Sequence, residues 1–123
     1  MMDFPHTDEL PSGLQPAPAE PRLWAAGARL MFRELELQHV QDKDDLMQAL
    51  GRDLTLPPHF GHNWDALYDV LSDPATARPE AIHLCHLEAF RTAHPKLAAD
   101  LLDVLLDAQS ERARSGVGLW LLT

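Results

Sequence analysis

The sequence predicts an α/β fold: a small three-stranded parallel sheet packed with about four helices, preceded by a proline-rich N-terminal extension. Three observations predict it. Short, nearly continuous apolar runs fall at 29–35 (RLMFREL), 81–87 (AIHLCHL) and 117–122 (VGLWLL), the pattern of strands covered on both faces. Between them, apolar residues recur at helical spacing and are bounded by caps and breakers. The chain of 123 residues is 46% apolar, enough for one domain with a real core.

Residues 1–27 stand apart from the rest. Five of the ten prolines lie there (Pro5, Pro11, Pro16, Pro18 and Pro21), and no periodicity is visible. This segment reads as an extended or partly disordered arm, docked through Phe4, Leu10 or Trp24. The domain proper then spans 28–123. Its first strand is 29–35, although a helix also fits so short a run. Asp42 caps a helix that begins near Lys43, with Leu46, Met47, Leu50 and Leu54 on its apolar side. Gly51 weakens that helix slightly, and Pro57-Pro58 ends it.

Asn63 caps the next helix, whose apolar stripe is Trp64, Leu67, Tyr68 and Leu71. Asp73-Pro74 stops it. A turn-rich segment leads to the strand 81–87, and a short helix covers 88–93. Pro95 opens a longer helix, since its missing N–H costs nothing at that position. Leu97, Leu101, Val104, Leu105 and Ala108 line its buried side, and Arg112 and Arg114 complement the dipole at its end. Gly116 is the stop before the final strand.

Charge narrows the function. Ten basic residues against nineteen acidic ones give a formal charge of −9. Nucleic acids and anionic lipids require a basic surface, so neither is expected as a direct partner. A basic protein is the natural counterpart. The single cysteine, Cys85, forms no internal disulfide. The acidic opening MMDFPHTDEL lacks the apolar run of a secretory signal, and no stretch of about 18 apolar residues is present. A cytoplasmic protein is expected.

Asp65 and Asp69 lie four residues apart on one expected helix face. Like charges at that spacing repel by about 0.2–0.5 kcal/mol. Keeping both is explained most simply by a cation outside the chain. A general acid–base pair would need a desolvated cleft and a raised pKa, and no nucleophile elbow, phosphate loop or HExxH accompanies the pair. No catalytic residue is assigned and no cofactor is expected. His83, Cys85 and His86 suggest a metal site, but on a strand His86 faces away from the other two. His59, His62 and Asp65 form a second, looser grouping in a loop, which leaves a metal-dependent enzyme as a minor alternative. No metal ligand is assigned from either group.

The run 56–73, LPPHFGHNWDALYDVLSD, closely resembles the signature of the barstar family, intracellular inhibitors of barnase-type ribonucleases. Members carry a helix ending in Leu-x-Leu-Pro, two aromatic-leaning residues, Gly, then Asn-x-Asp-Ala-Leu-Trp-Asp. Spacing and residue type agree here without a gap, and a weaker likeness extends from about Leu30 to the C-terminus. The resemblance implies the three-stranded parallel fold with helices around it. It also implies that the chain seals the active site of a basic, extracellular-type ribonuclease as a monomer binding 1:1. By resemblance, Asp69 enters the nuclease's phosphate-binding site and Asp65 is the second acidic anchor. Glu111 matches an acidic contact on the last helix. His59, Phe60, Gly61 and Asn63 match the loop and cap that touch the enzyme. Ala66, Tyr68, Ser72 and Asp73 match the rest of the helix face and its exit. His59 stands where the family often has Tyr, Tyr68 replaces a Trp, and Pro74 replaces an aromatic residue. A different basic toxin or regulator as the target of the same face is the alternative reading.

Overall fold

Three apolar segments, Met31–Glu36 (β2), Glu80–Cys85 (β3) and Leu119–Leu122 (β4), pair in parallel and build the centre of the sheet. The computed structural model describes residues 9–57 and 60–123. Within these, five helices and a four-stranded, wholly parallel sheet are present, in the order β1-β4-β3-β2. Three strands and about four helices were expected. The additional strand, Leu14–Gln15 (β1), and the additional helix, Pro21–Gly27 (α1), both come from the proline-rich segment.

The physical reason lies in the last strand. All four residues of β4 are buried, so without a neighbour it would present an apolar strand with an open edge. Leu14 and Gln15 pair with Leu121 and Leu122 and close that edge. Pro21 opens α1, where its lack of an N–H is harmless. Among the three residues expected to dock this segment, Trp24 packs against the sheet, Leu10 is 44% exposed, and Phe4 lies outside the described residues.

The alternation of β3 sorts the molecule into two faces. Ile82 and Leu84 join the main core with Leu35, Leu119 and Leu121. Four helices cover that face: Lys43–Asp53 (α2), Trp64–Ser72 (α3), Leu87–Ala93 (α4) and Pro95–Arg114 (α5). On the opposite face Ala81, Trp120 and Leu122 form a second cluster, covered by Ala17, Trp24, Leu30 and Phe32. That cover stops short of the C-terminal ends of β2 and β3, where Glu34, His83 and Cys85 follow in the same alternation.

Local signals set most boundaries. The Asp42 Oδ1 accepts from the Asp45 N–H at 2.8 Å and starts α2. At the end of α5, Gly116 takes φ +75°. Arg112 and Arg114 lie in the last turn of α5 as expected, and Arg112 is in addition buried, 3% exposed, donating to Glu80 at 3.0 Å and to the carbonyls of Arg78 and Leu71. No described helix is long and apolar enough to cross a membrane.

Candidate functional site

The nine residues of α3 carry two opposite faces on a short, well-anchored rod. Asn63 adopts an extended backbone, and its Oδ1 accepts from the Ala66 N–H at 2.8 Å, which satisfies one of the free donors of the first turn. Leu67 and Leu71 are buried, with half-buried Trp64 and Tyr68 packed against the same core. This inner face seats α3 against α5. Asp65 and Asp69 are exposed on the outer side. Among the described residues, neither aspartate has a hydrogen-bonding or ion-pairing partner.

The loop before α3 adds relief to that surface. Phe60 is buried and stacks obliquely on His62, with ring centroids 5.1 Å apart. A Cβ on Gly61 would lie 3.3 Å from the Asn63 side-chain amide and 3.5 Å from the Ala66 Cβ, so a larger residue would press on the capping side chain. Thr55 and His62, on either side of the loop, take φ +53°. For a β-branched threonine that is a strained conformation. Between loop and helix lies a cleft of about 410 Å³, lined by Phe60, Gly61, Ala66, Asp69, Val70 and Asp73 together with Pro57 and Thr76.

The residues singled out from the sequence therefore divide. Phe60, Gly61, Ala66, Asp69 and Asp73 converge on one cleft. Asn63 and Asp65 lie at the start of the same helix. Tyr68 packs against the core, and the Ser72 hydroxyl donates to the Tyr68 carbonyl at 2.6 Å. Asp73 also shapes the exit, accepting from the Ala75 N–H at 2.9 Å. Glu111 is half-buried near the end of α5 and pairs with Arg114 at 3.6 Å. His59 lies outside the described residues. Val70 was not anticipated as a cleft residue. Its signal was its place four residues after Ala66 and three before Asp73, the spacing of one helix face.

In the other candidate cluster His86 stands apart from His83 and Cys85 as expected, but because it lies beyond the end of β3 rather than on the strand's opposite face. His86 takes a left-handed backbone (φ 64°) before α4, and its Nδ1 lies 2.6 Å from the Glu36 carboxylate. His83 and Cys85 stay together on β3. Burial pushes the Cys85 thiol up to about 11, and the charges of Glu34, Glu36 and Asp53 add to this.

Fold and site together define a small parallel-sheet α/β protein with an acidic helix bordering a cleft. The barstar (barnase inhibitor) family matches residues 30–123. The chain belongs to that family, one of inhibitors. No curated protein sequence matches it.

Proposed function

We propose that this protein is a cytoplasmic inhibitor that occludes the active site of a basic, barnase-type ribonuclease with α3 and the loop before it. One observation carries the reading: Asp69 is exposed, without a cationic partner among the described residues, at the edge of a cleft it shares with Phe60 and Asp73. A ribonuclease holds its substrate phosphate with arginine, lysine and histidine. A carboxylate on a rigid helix accepts the same charge-assisted, bidentate hydrogen bonds from arginine. Asp69 stands in for the phosphate and Asp65 is a second anchor. Phe60, Gly61, Asn63 and Ala66 form the contact surface with His59. Tyr68 and Ser72 support the helix, and Asp73 and Glu111 extend the acidic field. No bond is made or broken; access is blocked.

The net charge of −9 speeds encounter with a basic enzyme, and salt slows it. The free protein is a monomer that binds its target 1:1. The test is RNA cleavage by a barnase-type ribonuclease with and without the protein. Stoichiometric inhibition is expected. Asp69→Ala is expected to weaken it by at least about 2 kcal/mol, roughly thirtyfold, the loss common to truncated interface charges; inhibitor–ribonuclease complexes of this family are themselves among the systems that established that range. No inhibition of any such enzyme overturns the proposal. Full inhibition by Asp69→Ala overturns the phosphate-mimic role alone.

A further inference from the structure

On the sheet face opposite the main core, two neighbouring strands bring three different metal-ligating side chains together. Glu34 of β2 is the register partner of His83 of β3, and Cys85 lies two residues further along β3 on the same face. The His83 Nδ1 is 3.6 Å from the Cys85 Sγ and 3.9 Å from the Glu34 Oε2, and Sγ and Oε2 are 4.0 Å apart. Among the described residues, these three form a group whose donor atoms all lie within 4.8 Å of one another.

We propose that Glu34, His83 and Cys85 form a cation site of the zinc type. A triangle with these three sides has a circumscribed radius of about 2.2 Å, so one point lies at bonding distance from all three atoms: zinc bonds run about 2.0–2.3 Å. In tetrahedral coordination those bond lengths place ligands roughly 3.3–3.6 Å apart. The observed separations exceed that range by a few tenths of an ångström at most, a closure within side-chain reach. The mixture of thiolate, imidazole and carboxylate selects the metal class. Magnesium and calcium prefer all-oxygen sets, whereas zinc takes sulfur, nitrogen and oxygen together.

The surroundings supply an outer shell. The other oxygen of the Glu34 carboxylate, Oε1, accepts from the Arg22 Nη2 at 2.7 Å, which holds the group with Oε2 turned toward His83 and Cys85. Arg22 is itself held over the Phe32 ring, 5.0 Å from its centroid. Its positive charge opposes a cation, but Glu36 and Asp53 add negative field at Cys85. The side chains of Glu34 and His83 are 45% and 22% exposed, so an ion reaches the site from solvent, and water completes the fourth position. On binding, a zinc–sulfur bond replaces the S–H bond of Cys85, and the proton leaves to solvent. The site bridges β2 and β3 on the face away from α3. It is independent of the proposed inhibition.

The experiment uses the full chain, reduced and freed of metal with a chelator, then titrated with cobalt(II) and afterwards with zinc(II). One equivalent of cobalt is expected to produce thiolate-to-cobalt charge transfer and the intense visible bands of four-coordination, and zinc is expected to displace it. Cys85→Ser removes the charge-transfer band, and His83→Gln and Glu34→Gln each weaken binding by more than about tenfold. Absence of the band in the wild type, or a wild-type affinity in both His83→Gln and Glu34→Gln, overturns the proposal. Should a variant fail to fold, the wild type alone decides: one equivalent of zinc is expected to raise its melting temperature and block alkylation of Cys85 by iodoacetamide. Alkylation at the metal-free rate overturns the site.

Discussion

Gln109 of α5 holds Gly13 by both ends of the peptide frame. Its Oε1 accepts from the Gly13 N–H at 2.7 Å, while its Nε2 donates to the Gly13 carbonyl at 3.2 Å and to the Leu119 carbonyl at 2.8 Å. The side chain is 3% exposed, so water does not replace these bonds. One glutamine thus ties the N-terminal segment, the last helix and the last strand together. Gln109→Leu fills the same space but leaves three backbone groups without it. A loss of about 1–3 kcal/mol in stability is expected, read as a lower urea midpoint. An unchanged midpoint would show that the segment is not anchored here.

Arg112, about one turn further along α5, forms a buried ion pair with Glu80. Their side chains are 2% and 14% exposed, and the Nη1–Oε1 distance is 3.0 Å. Two carbonyls, of Arg78 and Leu71, take further donors of the guanidinium. Removing one partner of such a pair strands a charge away from water. Glu80→Ala is expected to cost about 3–5 kcal/mol in chemical denaturation. A loss under about 1 kcal/mol would mean that the carbonyls alone suffice.

These two residues also show what sequence reading reaches and what it does not. Asn63, Asp42, Pro95 and Gly116 were legible because capping and stopping are local acts, decided within four residues. Leu14–Gln15 was not, because a strand of two residues has no period and exists only through its pairing with β4. The helix Pro21–Gly27 is too short for its spacing to stand out among prolines. The helix-end position of Arg112 is visible in the sequence, but its burial is not, since that depends on β3 and the loop before it. At the site, the repulsive pairing of Asp65 and Asp69 was visible as a spacing. The cleft was not, because it requires the position of Phe60 and Gly61 over Ala66. Glu34 beside His83 depends on strand register, which a single sequence does not state.

Glu36 gives a pH signature. Burial pushes its carboxyl up, but the Gln38 N–H at 2.9 Å and His86 at 2.6 Å, with the charges of His86 and His39, outweigh this and hold it below 4.5. A depressed folded-state pKa contributes stability that is present above the unfolded value and is lost as pH falls through the folded one. The group is 40% exposed, so the contribution is screened and under about 1 kcal/mol. Glu36→Gln is therefore expected to lower stability modestly at about pH 5.5 and to match the wild type once pH falls well below the folded-state value. Thermal melts of both proteins across this range are the measurement. A difference that persists or grows in acid would mean that the carboxylate is not the source.

The two aspartates of α3 are expected to separate stability from binding. Asp65 lies in the first turn, where the helix dipole stabilises a negative charge by about 0.3–1 kcal/mol. Asp69 lies a turn further on, four residues from both Asp65 and Asp73, so it meets repulsion and little help. Asp69→Lys replaces both repulsions by attractions, the one with Asp65 in the favourable order, acid before base. A gain of about 0.5–1 kcal/mol in stability is expected, read from the urea midpoint. The same change places a cation where a basic ribonuclease presents its own, and inhibition is expected to vanish. Asp65→Asn is expected to lower stability by a few tenths of a kcal/mol and to weaken inhibition, with a smaller dependence of the association rate on salt. Opposite signs for stability and inhibition in Asp69→Lys would show a charge kept for its partner against the preference of the fold. A variant both less stable and fully inhibitory would place the carboxylate in the fold instead.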